Sequence, residues 1–173
     1  PRSTQGVSSA ASDVYKRQMT YSLNELSDRQ EITDLLSAYC RAIDDNRPED
    51  VVSLFSEDCY LDYGGELPII QGRTAATKFF SIGTDRLYAR SAHFVSNIEV
   101  SFPENDRAVA TSYVNAWHEF HSHQPDAWIF GRYMDELARI DNGWLIEKRT
   151  FRSMGDHNWV GEMSYIERMG PHR

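Results

Sequence analysis

At 173 residues the chain is long enough for one well-buried domain and too short for two ordinary ones, and its 40% hydrophobic, 12% aromatic and 25% charged residues are those of a globular protein. Eighteen Lys and Arg against 26 Asp and Glu leave a net charge of −8. With its cations scattered rather than striped, the chain lacks the basic surface that nucleic acid or an anionic membrane needs, and no apolar run reaches the roughly 18 residues of a membrane span.

Residues 1–18 stand apart. Pro1 to Ala11 is rich in Ser, Gln and Gly, has no periodicity and lacks the apolar centre of a secretory signal. Asp13-Val14-Tyr15-Lys16-Arg17-Gln18 resembles the translation of a transposon-end adapter read through into the gene, so Met19 is the expected start and 1–18 a non-native, disordered leader. Cys40 and Cys59 have no metal-ligand spacing and read as buried reduced thiols; with no secretory signal, the expected location is cytoplasmic.

Ser27-Asp28-Arg29-Gln30 reads as a capping box that starts the first helix. Behind it Ile32, Leu35, Leu36, Tyr39, Cys40 and Ile43 recur at helical spacing, and Asp44-Asp45-Asn46-Arg47 ends the helix. Pro48 suits the first turn of a second helix through Ser56, with Val51, Val52, Leu54 and Phe55 inward. A short strand over Cys59 to Tyr63, a Gly64-Gly65 turn and a second short strand near Leu67 to Gln71 follow. A third helix runs from Gly72 to Ile82 with Gly83 placed to end it.

From there the period is two. Arg90 to Phe102, Arg107 to Phe120, Ala127 to Ile140 and Trp144 to Phe151 read as four long antiparallel strands, joined by turns at Pro103 to Asp106, His121 to Asp126 and Asp141-Asn142-Gly143. Helices ahead of an antiparallel meander predict an α+β domain over residues 19–152, with three helices covering one face of the sheet. The tail, 153–173, carries Trp159, Met163, Tyr165 and Ile166 and is expected to fold across the pocket mouth or onto a neighbouring subunit.

Register narrows which side chains meet. A four-residue loop at Pro103 to Asp106 pairs Phe102 with Arg107, which sets His93 opposite Ala116 and His118 one step away on the same face. Pairing Phe120 with Ala127 sets Ile129 opposite His118, with Gly131 and Tyr133 continuing that face. The Asn142-Gly143 turn allows two registers, so Arg149 and Arg152 are not separated. On the strand over Ala92 to Phe102 the even positions are nearly all apolar. If the odd face, with His93, lines a pocket, the even face needs a cover, which a second copy packed sheet on sheet supplies; in the opposite arrangement His93 faces solvent.

The candidate catalytic set is Tyr39, Asp44 and His93. A phenol, a carboxylate and an imidazole in one apolar pocket can move protons without a metal or cofactor. Tyr39 and Asp44 lie roughly 140° apart around an ideal helix, so they reach one cavity only from opposite rims or if the last turn unwinds. His121 and His123 fall in a turn and read as solvated, so no metal site is expected.

The chain from about Leu26 to Phe151 resembles the SnoaL-like branch of the nuclear-transport-factor-2-like superfamily. The matching stretches are Ile32 to Asp44, Leu54-Phe55-Ser56-Glu57-Asp58, Gln71-Gly72-Arg73, His93 to Asn97, Gly131-Arg132-Tyr133 and Gly143 to Ile146 with Arg149. That resemblance implies a conical, curved antiparallel sheet wrapped with three N-terminal helices around a pocket, a cystatin-like α+β barrel. Within the superfamily the chain resembles scytalone dehydratase and the bile-acid dehydratases in its functional residues, which implies catalytic roles for Tyr39, Asp44 and His93, with Tyr63 and His118 matching a second Tyr and a second His of scytalone dehydratase. Tyr133, Trp117 and Phe55 are expected to bind substrate beside Tyr63 and His118. The implied activity is a cofactor-independent lyase removing water from a small apolar hydroxy-carbonyl, steroid- or polyketide-like compound, in a homodimer or homotrimer. The alternatives are an isomerase or epoxide hydrolase on the same scaffold, a non-catalytic small-molecule-binding protein, and the structural β subunit of a ring-hydroxylating dioxygenase.

Overall fold

The computed structural model describes residues 21–141 and 143–166; the expected leader lies outside them. Helix α1 (Leu23–Asp44) starts one turn earlier than the Ser27 capping box predicts. A second Ser-x-x-Glu pattern wins: the Ser22 side chain accepts from the Glu25 backbone N–H at 3.1 Å, leaving Ser27 inside the helix with its hydroxyl on Glu31. The helix is regular through Asp44 and buries Ile32, Leu35, Leu36, Tyr39, Cys40 and Ala42. Each large aliphatic group so buried contributes about 1.5–3 kcal/mol. Pro48 opens the short helix α2 (Pro48–Ser53), its absent N–H costing nothing in a first turn.

Strand β1 (Phe55–Asp62) begins sooner than expected, and β2 is only Ile70–Gln71. Helix α3 (Arg73–Leu87) runs through Gly83, which does not end it; the chain leaves the helix at Tyr88, where the backbone becomes extended. Strands β3 (Tyr88–Glu104), β4 (Arg107–Phe120), β5 (Ala127–Ile140) and β6 (Gly143–His157) complete one six-stranded sheet of order β2-β1-β6-β5-β4-β3. The sheet is antiparallel except for the β1–β6 pair, which is parallel. It is curved and open, with three helices packed against it, so the α+β architecture is the one expected. Cys40 and Cys59 are both free and buried. Among the described residues no helix is long and apolar enough to cross a membrane.

Bulges decide which side chains face inward. In β3 the register shifts between Ser96 and Glu99, where Asn97 has φ of 49°. Before this bulge the odd residues Ser91, His93 and Val95 face the helices and Phe94 is 58% exposed; beyond it Ile98, Val100 and Phe102 join the core, and Val100 is 7% exposed. Each of the two arrangements expected for this strand therefore holds over one half of it. In β6 the shift between Glu136 and Leu137 of its partner separates buried Trp144 and Ile146 from buried Arg149, Phe151 and Ser153. Without it the alternation would turn Lys148 inward and Arg149 outward. On the outer face Phe94, Trp128 and Phe130 remain solvent-exposed, the last two stacked at 6.1 Å.

Candidate functional site

His93 pairs with Ala116 as the register arithmetic predicts, although the connection is tighter than assumed. Glu104 pairs with Arg107, and two single-residue shifts along β3 compensate for the two residues by which the loop is shorter. Between β4 and β5 the pairing is two residues off the expected one: Ala116 faces Ile129 and His118 faces Ala127. A shift of two keeps every side chain on its own face, so His118, Ile129, Gly131 and Tyr133 stay on the inner face. Gly131 is needed there, because a Cβ would lie 2.3 Å from the Phe151 ring.

Between the helices and this inner face lies a chamber of about 370 Å³. One wall holds His93 and His118, their rings 5.3 Å apart and perpendicular. Another holds Tyr39, Tyr63 and Tyr133. The Tyr39 and Tyr63 hydroxyls are 2.9 Å apart, and Tyr133 also hydrogen-bonds Tyr39. Burial raises the pKa of Tyr39 and pushes those of Tyr63 and Tyr133 well above the usual phenol value, so all three keep their protons and can donate. Phe79, Phe80, Val114, Ile129 and Phe151 supply apolar lining.

Asp44 reaches His93 from the last residue of α1 without unwinding. Its Oδ1 accepts from the His93 Nδ1 at 2.6 Å and from the Ser91 hydroxyl at 2.9 Å, and its Oδ2 accepts from the His93 backbone N–H at 2.8 Å. Burial disfavours charge on this carboxyl, but the bonds from the His93 ring and backbone outweigh it and hold its pKa below the ordinary carboxylate value. The carboxylate therefore keeps the proton on Nδ1 and leaves Nε2, on the ring's other edge, as the basic nitrogen. Tyr39 lines the chamber and Asp44 does not, acting on it only through His93, so the two do not meet in one cavity by either of the geometries their spacing allowed.

Beneath the phenols sits Arg149, which is 0% exposed. Its guanidinium binds Asp135 through two hydrogen bonds of 2.8 Å and lies 4.2 Å from the Tyr39 ring centre and 4.1 Å from that of Tyr133. Sequence reasoning left Arg149 and Arg152 unresolved. Arg152 instead binds Asp62 and the Phe151 carbonyl, away from the chamber.

Two expected substrate contacts are corrected. Trp117 lies on the outer face, its indole donating to Asp126 and its backbone opposite Trp128, because inward positions on β4 are even. Trp128 is likewise on the outer face. Phe55 is fully buried behind Tyr39 and stacked on Phe80, so it shapes the chamber without lining it. Tyr88, which precedes the expected start of β3, was missed, and Trp159 was expected only as part of the tail across the pocket mouth.

Trp159 belongs to a strap that follows β6. The Ser153 N–H donates to the Ser164 carbonyl and the Ile166 N–H to the Ser153 carbonyl, both at 2.8 Å, while the Ser164 hydroxyl accepts from the Gly65 N–H. Trp159 packs 5.4 Å from the His118 ring, and Trp159 to Met163 line the chamber; residues 167–173 lie outside the described part. At Gly65, where φ is +62°, a Cβ would sit 2.1 Å from the Glu162 carbonyl. Gly65→Ala is expected to lift the strap, seen as faster amide deuterium exchange over residues 158–166; unchanged protection would contradict this contact.

His118 is 5% exposed and its Nδ1 is buried with no hydrogen-bond partner among the described residues. Burial, reinforced by His93 and opposed by Asp44, lowers its pKa from 6.5 to about 3, so it is a neutral imidazole. The unfolded chain binds this proton more readily, so the contribution is fully present above about pH 6.5 and is lost as pH falls toward 3. The expected loss across this window is on the order of 2–4 kcal/mol, read from urea midpoints, with a flatter pH slope in His118→Phe.

Comparison with known proteins agrees with this geometry. A family model described as a SnoaL-like domain matches residues 24–150. An uncharacterised Mycobacterium tuberculosis protein is 32% identical over 132 residues, 75% of this chain and 87% of the relative. A crystal structure of a Novosphingobium aromaticivorans protein assigned as a scytalone dehydratase superposes with a TM-score of 0.79 at 27% identity, covering 84% of this chain and 97% of that one. A hexachlorocyclohexane dehydrochlorinase, LinA type 2, superposes with a TM-score of 0.73 at 18% identity over 87% and 99% of the two chains, a likeness of fold.

Proposed function

On the premise that this chain belongs to the SnoaL-like domain family, we propose that it is a dehydratase-type lyase that works by general acid–base chemistry and needs no cofactor. The substrate class is a small apolar hydroxy-carbonyl compound, steroid- or polyketide-like. One observation carries this reading: the His93 Nδ1 is held 2.6 Å from Asp44 while the ring borders the same chamber as three protonated phenols. In the proposed step Nε2 of His93 removes a proton α to the substrate carbonyl. Tyr39, with Tyr63 or Tyr133 behind it, donates to the carbonyl oxygen as enolate charge builds, and the β-hydroxyl leaves as water with the proton returned by His93. Neutral His118 offers a further hydrogen bond to a polar substituent. The apolar remainder of the chamber suits a ring or polyketide carbon skeleton. The likeness to a protein assigned as a scytalone dehydratase supports dehydration over other chemistries on this scaffold.

The test is a panel of β-hydroxy ketones and hydroxylated cyclic ketones, followed by the ultraviolet absorbance of the conjugated product, with matching enones and epoxides alongside. Enone formation is the expected result. A shifted double bond would make the protein an isomerase, a diol from the epoxide a hydrolase, and thermal stabilisation by a panel compound without turnover a binding protein.

A further inference from the structure

His93 and Asp44 form a wall between two separate spaces. The imidazole borders the 370 Å³ chamber, whose lining does not include Asp44. Asp44 instead borders a second cavity of about 220 Å³, whose lining does not include His93. Ile43 and Tyr88 touch both and divide them. The two spaces differ in chemistry. The chamber is mostly apolar and roofed by the strap, whereas the smaller cavity is bounded by Asn46, Arg90, Ser91 and His121 as well as Asp44. Arg90 is paired with Glu119, so its charge is already balanced. His121 stands at the rim, in the turn after β4, and the role proposed for the chamber makes no use of it.

The carboxylate itself points to a use. It accepts three hydrogen bonds, from Ser91 and from the ring and backbone of His93, out of about four acceptor directions available to an ionised carboxylate. Its side chain is nevertheless 23% exposed, against 10% for His93. The exposed edge meets the polar cavity, where water can take the remaining direction.

We propose that the smaller cavity is a water port through which the dyad exchanges its Nδ1 proton with bulk solvent, independently of the ligand chamber. When Nε2 takes a proton from the chamber side, the ring becomes an imidazolium. Its Nδ1 proton then passes to Oδ1 of Asp44 and on to a water in the port, which carries it to bulk as hydronium. The imidazole is left neutral with Nε2 protonated, a hydrogen-bond donor facing the chamber, and the carboxylate is again ionised. The reverse transfer restores the imidazolium. The two ring protons thus have two routes, and a ligand filling the chamber blocks only one. This rests on the geometry of the dyad and holds whichever reaction the chamber performs.

The experiment uses the full chain labelled with nitrogen-15, under conditions in which both ring protons of His93 are present. Exchange of each with water is followed by saturation transfer. Ala89→Trp and His121→Trp each fill the port from its exposed rim, and Trp159→Ala opens the chamber. The expected result is that both plugs slow Nδ1–H exchange about tenfold or more while Trp159→Ala speeds only Nε2–H. Should the Nδ1–H signal be too broad to see in the unmodified protein, its appearance in the plugged proteins is the same result. Plugs that leave Nδ1–H exchange, or its invisibility, unchanged overturn the proposal, as does Trp159→Ala accelerating both protons alike.

Discussion

Replacing His93 with Gln is expected to lower turnover of a dehydration substrate by roughly 10²–10⁴-fold, with thermal stability little changed. Gln keeps the backbone N–H that holds the Asp44 Oδ2 and can still donate toward Oδ1, but it has no nitrogen basic enough to take a proton. The loss should fall on kcat, because the proton moves only in the transition state. Asp44→Asn should cost a comparable factor for another reason: an amide no longer favours the proton on Nδ1, so Nε2 ceases to be the basic nitrogen. His118 cannot take over, since its burial keeps it from accepting a proton near neutral pH. A His93→Gln protein with more than about a third of normal turnover would show that the base is elsewhere, because even a modest general base contributes a factor of about 10².

Arg149→Met is expected to destabilise the protein by about 3–5 kcal/mol, since it strands the fully buried Asp135 carboxylate without the cation that pairs with it. For a chain of this size that corresponds to a fall in Tm of roughly 10 °C. Burial works against charge on the guanidinium, yet Asp135 more than compensates and holds its pKa well above the usual value, so the guanidinium stays charged. The double change Arg149→Met with Asp135→Leu should recover much of the loss, because replacing both ions by apolar groups removes the stranded charge. If denaturant midpoints of the single variant match those of the unmodified protein, the pair is not holding the sheet and helix α1 together. The tyrosines give a second readout. Removing the cation from beneath Tyr39 and Tyr133 should raise their phenol pKa values further, which ultraviolet titration detects, because Arg149 lowers both.

The features legible from sequence are those set by local pattern and parity. The apolar period along Ile32 to Ile43 marks α1, the two-residue period marks the four long strands, and Pro48 marks the second helix start. Parity also explains why an incorrect β4–β5 register still put His118, Gly131 and Tyr133 on the inner face: the error was two residues, and side-chain direction repeats every two. His93 was paired correctly because a loop assumed two residues too long was compensated by two shifts that nothing in the local pattern announced. Where parity was misjudged, as at Trp117, the residue was lost from the site.

By itself, then, the chain's amino-acid order determined the α+β class, the helix that carries Tyr39 and Asp44, the strand that carries His93 and the family to which they belong. Only the tertiary structure decided that a bulge near Asn97 turns His93 inward, that another in β6 aims Arg149 beneath the tyrosines, and that the strap bearing Trp159 closes on the Gly64-Gly65 turn. The physical reason is the range of the interactions. Helix and strand periods arise from contacts within a few residues, whereas a bulge is chosen by the fit of two sheet faces and a packed core assembled from distant parts of the chain.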